Sequence, residues 1–135
     1  MAVSVLLVAH NAIGQSLLDT AQATLGHLTL SVQAIAVRYD TDPDELLPKL
    51  KQISEKLDHG DGLLVLTDMF GSTPSNLAQA LQEEEHNIRV VTGLNLPMLI
   101  RVLNYPQLTL DQLAEKAYTG GRDGVLECEN STSGT

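Results

Sequence analysis

The 135-residue chain lacks several features that define common classes of protein. It has a single cysteine, Cys128, so no disulfide can form within the chain and nothing favours an oxidising compartment. No apolar run approaches the ~20 residues that a membrane-spanning helix needs, and the N-terminus lacks the basic region of a signal peptide. We therefore expect a cytoplasmic protein with no direct membrane insertion.

Positive charge is scarce as well. Eight Lys and Arg residues stand against seventeen Asp and Glu residues, which gives a formal net charge of −9. The acidic residues crowd the segment from Asp40 to Asp61 and the run Glu83–Glu85, whereas the basic residues are scattered. Because nucleic-acid binding requires clustered basic side chains, this balance argues against a nucleic-acid partner. The acidity is interpreted as a solvated outer surface.

Motifs for metals and nucleotides are also missing. His27, His59 and His86 fall in predicted turns or helix ends, are interpreted as surface residues, and show no metal-ligand spacing with Cys128. No GxGxxG motif follows the first strand, and the loop around Gly71 lacks the lysine of a Walker A motif. The sequence therefore predicts neither a metal nor a cofactor.

What is present is a regular alternation of strands and helices. The strand segments are almost continuously apolar, which is typical of parallel strands buried on both faces. The helix segments have apolar residues at helical spacing and begin with capping residues or prolines. The predicted strands are Val3–Ala9, Val32–Val37, Gly62–Thr67 and Ile88–Thr92. The predicted helices are Ala12–Leu25, Pro43 to about Leu57, one capped by Thr73, one ending near Leu103, and Thr109–Tyr118.

This alternation predicts one α/β domain over residues 1–128, a doubly wound open sheet with helices on both faces. Right-handed crossovers place the loops after all four strands at one edge of the sheet, around a single crevice. Gly124–Cys128 is predicted to be a short edge strand, with Cys128 a small core or interface residue. Residues 129–135 are polar and small and are predicted to form a disordered tail.

His10 is the most informative residue, because it lies where the first strand ends in a polar turn. One interpretation is a histidine that only satisfies this turn. The other is a nucleophile or base assisted by Asp68, which follows strand 3, a neighbour of strand 1 in the common flavodoxin-like order. Asp68 can then hydrogen-bond one imidazole nitrogen and leave the other free to attack. The alternative for Asp68 is a loop aspartate that caps its own backbone.

The loop Gly71-Ser72-Thr73-Pro74 is a candidate anion site. Glycine lets a backbone approach a ligand closely, and the free N–H groups and dipole of a helix N-terminus favour an anion. The hydroxyls of Ser72 and Thr73 can donate to phosphoryl oxygens. An ordinary N-cap at Thr73 explains the same residues without a ligand.

Six apolar side chains lie in or beside these loops. They predict an exposed apolar rim around the crevice that docks a protein partner, a role for which methionines are well suited. The alternative is that they fold back onto the core. The residues are Ile13, Met69, Phe70, Leu94, Leu96 and Met98.

Three segments together resemble the mannose-type enzyme IIA component of the bacterial phosphoenolpyruvate-dependent sugar phosphotransferase system. They are Val8-Ala9-His10, the loop from Asp68 to Asn76, and the segment from Thr92 to Leu99. The resemblance covers about Ala2 to Cys128. It implies a phosphotransferase component in which His10 accepts a phosphoryl group from the phosphocarrier protein HPr and passes it to a IIB component.

The resemblance also implies roles for the neighbouring residues. Asp68 would hold the imidazole, the loop Gly71 to Pro74 would lie beside the phosphoryl group, and Ser72 would be the side-chain donor. Our hypothesis is that Nε2 of His10 carries the phosphoryl group while Nδ1 donates to Asp68. No metal is required for such a transfer, since phosphoryl transfer depends on positioning and charge stabilisation.

The family fold implies a fifth, antiparallel edge strand, here Gly124–Cys128, exchanged between the subunits of a homodimer. Transport members often continue through a linker into a IIB domain. This chain stops after residues 129–135, so the IIB component is expected on a separate chain, or the chain is a phosphorylation-state sensor without a sugar of its own.

Three other interpretations stay open. One is the phosphotransfer subunit of dihydroxyacetone kinase, a similar fold that also uses an early histidine. The second is a regulatory binding module whose partner choice depends on His10 phosphorylation. The third is a flavodoxin-like flavin protein, which the 3% aromatic content and the lack of an aromatic pair in the loops disfavour.

Overall fold

A four-stranded sheet forms the centre of the computed structural model, which describes residues 2–130. The strands are β1 (Ser4–His10), β2 (Val32–Val37), β3 (Leu63–Thr67) and β4 (Ile88–Thr92). They are all parallel and lie in the order β2-β1-β3-β4. β1 and β3 are therefore direct neighbours, as the flavodoxin-like order predicts.

Five helices cover both faces of this sheet. They are α1 (Ile13–Leu25), α2 (Pro43–Leu57), α3 (Thr73–Glu84), α4 (Leu96–Leu103) and α5 (Leu110–Asp123). One hydrophobic cluster joins the sheet to α1, α4 and α5, and a second joins it to α2 and α3. The predicted doubly wound α/β fold with helices on both faces is confirmed.

The strand β1 is buried on both faces because its side chains alternate between the two clusters. Val5 and Leu7 pack on the side of α1, α4 and α5, whereas Leu6 and Val8 pack on the side of α2 and α3. All four side chains have no exposed surface. Burying side chains of this size contributes roughly 1.5–3 kcal/mol each, so β1 anchors the sheet and fixes the position of the residue that ends it, His10.

Local capping explains where several helices begin. The side chain of Asp42 accepts a hydrogen bond from the backbone N–H of Asp44, and that of Asn95 accepts one from Met98. Thr109 caps α5 as predicted and forms a complete capping box with Gln112. These caps fix the residues at which α2, α4 and α5 begin.

The end of α5 differs from the prediction. The helix continues past Tyr118 to Asp123, although two glycines follow Tyr118. A Cβ atom at Gly120 would lie 2.7 Å from Cβ of Arg101, and one at Gly121 would lie 2.7 Å from Cε of Met98. The glycines therefore allow α5 to approach α4 closely, and this tertiary contact outweighs their low helix propensity.

The predicted edge strand Gly124–Cys128 is not present in the single chain. After Asp123 the described backbone forms no strand, and the side chains of Val125 and Leu126 are 77% and 80% exposed. A strand needs a hydrogen-bonded neighbour, and this segment has none within residues 2–130. Cys128 is exposed in the single chain, so its predicted place in the core is wrong, while a place at an interface stays a prediction. The predicted tail reaches beyond the structure, since residues 131–135 lie outside the described part of the chain.

None of the helices within residues 2–130 is long and apolar enough to span a membrane.

Candidate functional site

The loops after the four strands meet at one end of the sheet, called here the carboxyl edge. Across this edge His10 is paired with Val37 of β2, and Val8 with Thr67 of β3. The backbone N–H of Asn11 donates to the carbonyl of Val37 (3.0 Å), with Asn11 at a φ of 50°. Asparagine tolerates this left-handed conformation better than most residues, so the chain can turn sharply just after His10.

The carboxylate of Asp68 holds His10 through two contacts. Oδ2 of Asp68 accepts a hydrogen bond from the backbone N–H of His10 (3.0 Å) and lies 2.8 Å from Nδ1 of its ring. The predicted contact between Asp68 and one imidazole nitrogen is therefore present. Because a carboxylate can only accept hydrogen bonds, Nδ1 is the nitrogen that donates to Asp68, and in the neutral ring Nε2 keeps a free lone pair.

The side chains of Asp68 and His10 differ in how far they are exposed to solvent. The Asp68 side chain is 10% exposed, whereas the His10 side chain is 37% exposed. The carboxylate is thus fixed below the surface, while the imidazole can meet a group that arrives from solvent. This arrangement can orient a nucleophilic nitrogen and stabilise positive charge that develops on the ring.

The loop before α3 makes a sharp turn beside this pair. Gly71 has a φ of 84°, a conformation that L side chains rarely adopt. The N-cap of α3 is Ser72 rather than the predicted Thr73. The hydroxyl of Ser72 donates to the carbonyl of Met69 (2.5 Å), whereas the hydroxyl of Thr73 is exposed and has no hydrogen-bond partner within residues 2–130.

The first turn of α3 offers donors to an anion. Asn76 N–H already donates to the carbonyl of Ser72, and Pro74 has no N–H. The N–H groups of Thr73 and Ser75 have no acceptor within the described residues. Together with the helix dipole, these two groups favour negative charge beside this turn.

Only part of the predicted apolar rim is exposed in the structure. Ile13, Met69 and Phe70 are 45%, 58% and 73% exposed, whereas Leu94 and Met98 are only 7% and 2% exposed. Leu96 is partly buried against the core. Leu94 and Met98 turn inward because Leu94 N–H donates to the carbonyl of Thr67 and Asn95 caps α4. Both residues therefore belong to the core, as the alternative interpretation predicted.

One member of the rim was missed by the sequence analysis. Tyr39 is fully exposed in the loop after β2, two residues beyond Val37, the residue paired with His10. Its position in a loop at the carboxyl edge was a signal that could have identified it. Beside His10, an apolar groove of about 540 Å³ runs between the starts of α1 and α4. Its lining residues are Ala12, Ile13, Ser16, Leu17, Leu94, Asn95 and Leu96.

Three buried oxygens at this edge have no hydrogen-bond partner among residues 2–130. They are Oγ1 of Thr67, Oδ1 of Asp68 and Oγ of Ser75. Thr67 and Ser75 were not predicted as site residues. The only signal in the sequence was their polar character at positions where the strand and helix patterns call for apolar side chains.

The other histidines lie apart from this site. His27, His59 and His86 are exposed, as predicted. Across residues 2–130 no three His, Cys, Asp or Glu side chains are grouped so that they could hold a metal ion.

Comparison with known proteins gives a consistent result. Residues 4–118 match the family model described as "PTS system fructose IIA component". Over 127 residues the chain is 29% identical to the "PTS system mannose-specific EIIAB component" of Escherichia coli strain K12, and the match covers 93% of this chain. The chain spans 39% of the length of that relative.

Two solved structures resemble the whole chain. A "Mannose/sorbose specific IIA subunit of phosphotransferase system" from Enterococcus faecalis superimposes with a TM-score of 0.86 at 26% identity, covering 96% of this chain and 97% of the other. Component EIIA from Streptococcus agalactiae gives a TM-score of 0.79 at 26% identity, covering 93% and 96%. The family match spans most of the chain, including the His10–Asp68 pair and the loop before α3. The chain therefore belongs to the family of fructose- and mannose-type IIA components of the sugar phosphotransferase system.

Proposed function

We propose that this protein is a phosphohistidine carrier that accepts a phosphoryl group from HPr on His10 and passes it to a IIB component. The observation that carries the proposal is the oriented imidazole. Nδ1 lies 2.8 Å from Oδ2 of Asp68, whose side chain is only 10% exposed, and Nε2 is free at a partly exposed edge. Membership of the IIA family supports the same role.

The transfer can be written with balanced bonds. The lone pair of His10 Nε2 attacks phosphorus, a new N–P bond forms, and the bond from phosphorus to the donor histidine of HPr breaks, its electron pair returning to that donor nitrogen. His10 then carries a proton on Nδ1 and the phosphoryl group on Nε2, which places positive charge on the ring. The carboxylate of Asp68 stabilises this charge.

The oxygens of the phosphoryl group need donors, and the first turn of α3 offers them. The N–H groups of Thr73 and Ser75 have no other acceptor within the described residues. Of the two hydroxyls expected to contribute, that of Ser72 already donates to Met69. We therefore assign the side-chain contact to Thr73 rather than to Ser72.

The apolar rim of Ile13, Tyr39, Met69 and Phe70 is proposed to dock HPr and the IIB component. Such a cluster around a reactive histidine buries apolar area when a protein partner binds and brings the two reacting groups together. The fold and the composition agree with a soluble component that works in the cytoplasm.

A homodimer with exchanged last strands is proposed as well. Val125 and Leu126 are exposed without a neighbour, and β4 is an edge strand of the sheet. A groove of about 660 Å³ follows β4 between α3 and α5. The segment Gly124–Cys128 of one subunit would form an antiparallel strand at the partner's sheet edge, where both apolar side chains lose their exposure.

The first experiment is reconstituted phosphorylation. The protein is incubated with enzyme I, HPr and phosphoenolpyruvate, and intact mass is recorded for the parent, His10→Ala and His59→Ala. We expect one acid-labile phosphoryl adduct on the parent and on His59→Ala, an exposed histidine outside the site, and none on His10→Ala. If active HPr phosphorylates a known acceptor but not this protein, the carrier role is wrong and the regulatory binding module becomes the better explanation.

A further inference from the structure

The unpartnered buried oxygens are concentrated in one place. Within residues 2–130, the side-chain atoms that are buried and lack a hydrogen-bond partner belong to Thr67, Asp68 and Ser75 only. Thr67 and Ser75 have no exposed surface. Buried polar atoms nearly always have a partner, because leaving one unpaired costs the full desolvation penalty. Three such atoms in one nine-residue segment call for a common explanation.

Thr67 and Ser75 face the same layer of the fold. Along β3, Leu63 and Val65 belong to the cluster on the side of α2 and α3, so Thr67 points to that side by strand alternation. Ser75 is buried in the first turn of α3, the helix whose inner face contributes Leu77 to this cluster. Both hydroxyls therefore lie between the end of β3 and the start of α3.

The three atoms are chemically complementary. Each hydroxyl can donate one hydrogen bond, whereas a carboxylate oxygen can only accept. Oδ2 of Asp68 already accepts from the backbone N–H and holds Nδ1 of His10. Oδ1, the other oxygen of the same carboxylate, is buried and receives nothing within the described residues.

We propose that Thr67 and Ser75 are positioning residues, whose hydroxyls donate to Oδ1 of Asp68 through an internal water molecule. A buried water with two or three polar partners is a common element of protein interiors. The carboxylate is then held from both of its oxygens, so that Oδ2 stays aimed at His10. The consequence for phosphorylation rests on the proposed function, but the hydrogen-bonded group itself does not.

The test compares variants that lose or keep each hydroxyl. Thr67→Val and Ser75→Ala remove a hydroxyl, whereas Thr67→Ser keeps it. The first readout is the Nδ1–H resonance of His10 in a ¹H–¹⁵N spectrum of the unphosphorylated protein, which requires no phosphoryl donor. We expect Thr67→Val and Ser75→Ala to move or broaden this resonance and Thr67→Ser to restore it.

The second readout is phosphorylation kinetics with HPr as donor. For Thr67→Val and Ser75→Ala we expect kcat to fall about fivefold, the loss that one neutral hydrogen bond represents. KM should not change, because neither hydroxyl is exposed to a docking protein. In an Asp68→Asn background, Thr67→Val should have no further effect on kcat, since the hydroxyl acts through the carboxylate.

Ser54→Ala is the matched control, because Ser54 is a buried serine of α2 whose hydroxyl donates to the carbonyl of Leu50 (2.7 Å). It should leave the His10 resonance and kcat unchanged. An unchanged resonance in both Thr67→Val and Ser75→Ala overturns the proposal, as does an equal loss of kcat in Ser54→Ala. If the parent protein is not phosphorylated at all, the proposed function fails while the spectrum still decides on the hydrogen-bonded group.

Discussion

The same four strands form both ends of the sheet, but the aspartates at the two ends differ in their hydrogen bonds. At the amino edge, where β3 begins, Asp58 accepts hydrogen bonds from the N–H groups of Gly60 and Gly62 and from the side chain of Asn87. At the carboxyl edge, Oδ1 of Asp68 is buried and accepts none within the described residues. Asp58 thus joins loops at the start of the sheet, whereas Asp68 holds the ring of His10.

The two ends of the sheet also differ in their ion pairs and in their exposed apolar side chains. At the amino edge Lys51 pairs with Glu84 (2.7 Å) across a cavity of about 380 Å³. The carboxyl edge instead exposes Met69 and Phe70. Under the proposed function, the end that receives a protein partner is the one with unpaired buried oxygens and exposed apolar side chains.

Removing the charge of Asp68 should give the largest effect on function. Asp68→Asn keeps the size of the side chain but cannot stabilise a positive imidazole, so we expect phosphorylation of His10 to slow on the order of 100-fold. The rate is measured by quenched-flow and intact mass. Asp58→Asn, the equivalent change at the amino edge, should leave this rate unchanged. A normal rate for Asp68→Asn would remove the proposed contrast between the two aspartates.

Asp58 should show the opposite pattern. Asp58→Ala leaves two backbone N–H groups and the Asn87 amide without their acceptor, so we expect the free energy of unfolding to fall by about 2 kcal/mol. Urea denaturation monitored by circular dichroism measures this value. Phosphorylation of the folded variant should proceed at the parent rate. A loss of phosphorylation without a loss of stability would contradict this prediction.

Much of the fold that positions the two aspartates could be predicted from the sequence, because strands and helix starts depend on local patterns. Apolar runs identified all four strands, and capping residues such as Asp42 and Thr109 identified helix starts. The contact between His10 and Asp68 followed from one topological assumption, that β1 and β3 are neighbours. A residue that ends a strand can be placed in space once the strand order is known.

The remaining features depend on tertiary packing, which local patterns do not encode. The last helix was predicted to end at Tyr118, but α5 continues through Gly120 and Gly121 to Asp123, because these glycines allow close contact with α4. Leu94 and Met98 were predicted to be exposed rim residues, but the path of the loop places both side chains in the core. The unpartnered hydroxyls of Thr67 and Ser75 were not foreseen, because their burial results from α3 packing on the sheet.

Phe70, at the carboxyl edge, is expected to affect the binding of a protein partner rather than the rate of phosphoryl transfer. Its side chain is 73% exposed at the carboxyl edge, so Phe70→Ala should leave stability within about 0.5 kcal/mol of the parent. If the rim docks HPr, the KM for HPr should rise about fivefold with kcat unchanged, as for an aromatic contact of ordinary strength in an interface. His59→Ala, a change at an exposed residue outside both the rim and the proposed dimer contact, is the control. Equal KM values for the parent and Phe70→Ala would remove Phe70 from the docking surface.

The smallest effect is expected from the ion pair of the amino edge. Lys51 and Glu84 are 39% and 52% exposed, and pairs in such positions contribute only about 0.2–1 kcal/mol, because water and salt screen them. Lys51→Gln should therefore lower the free energy of unfolding slightly in low salt, and the difference from the parent should shrink as salt is added. Urea denaturation at two ionic strengths measures this change. A loss of several kcal/mol would contradict this prediction. The stability of the amino edge would then depend strongly on its charges, and the two ends of the sheet would differ only in their proposed chemistry.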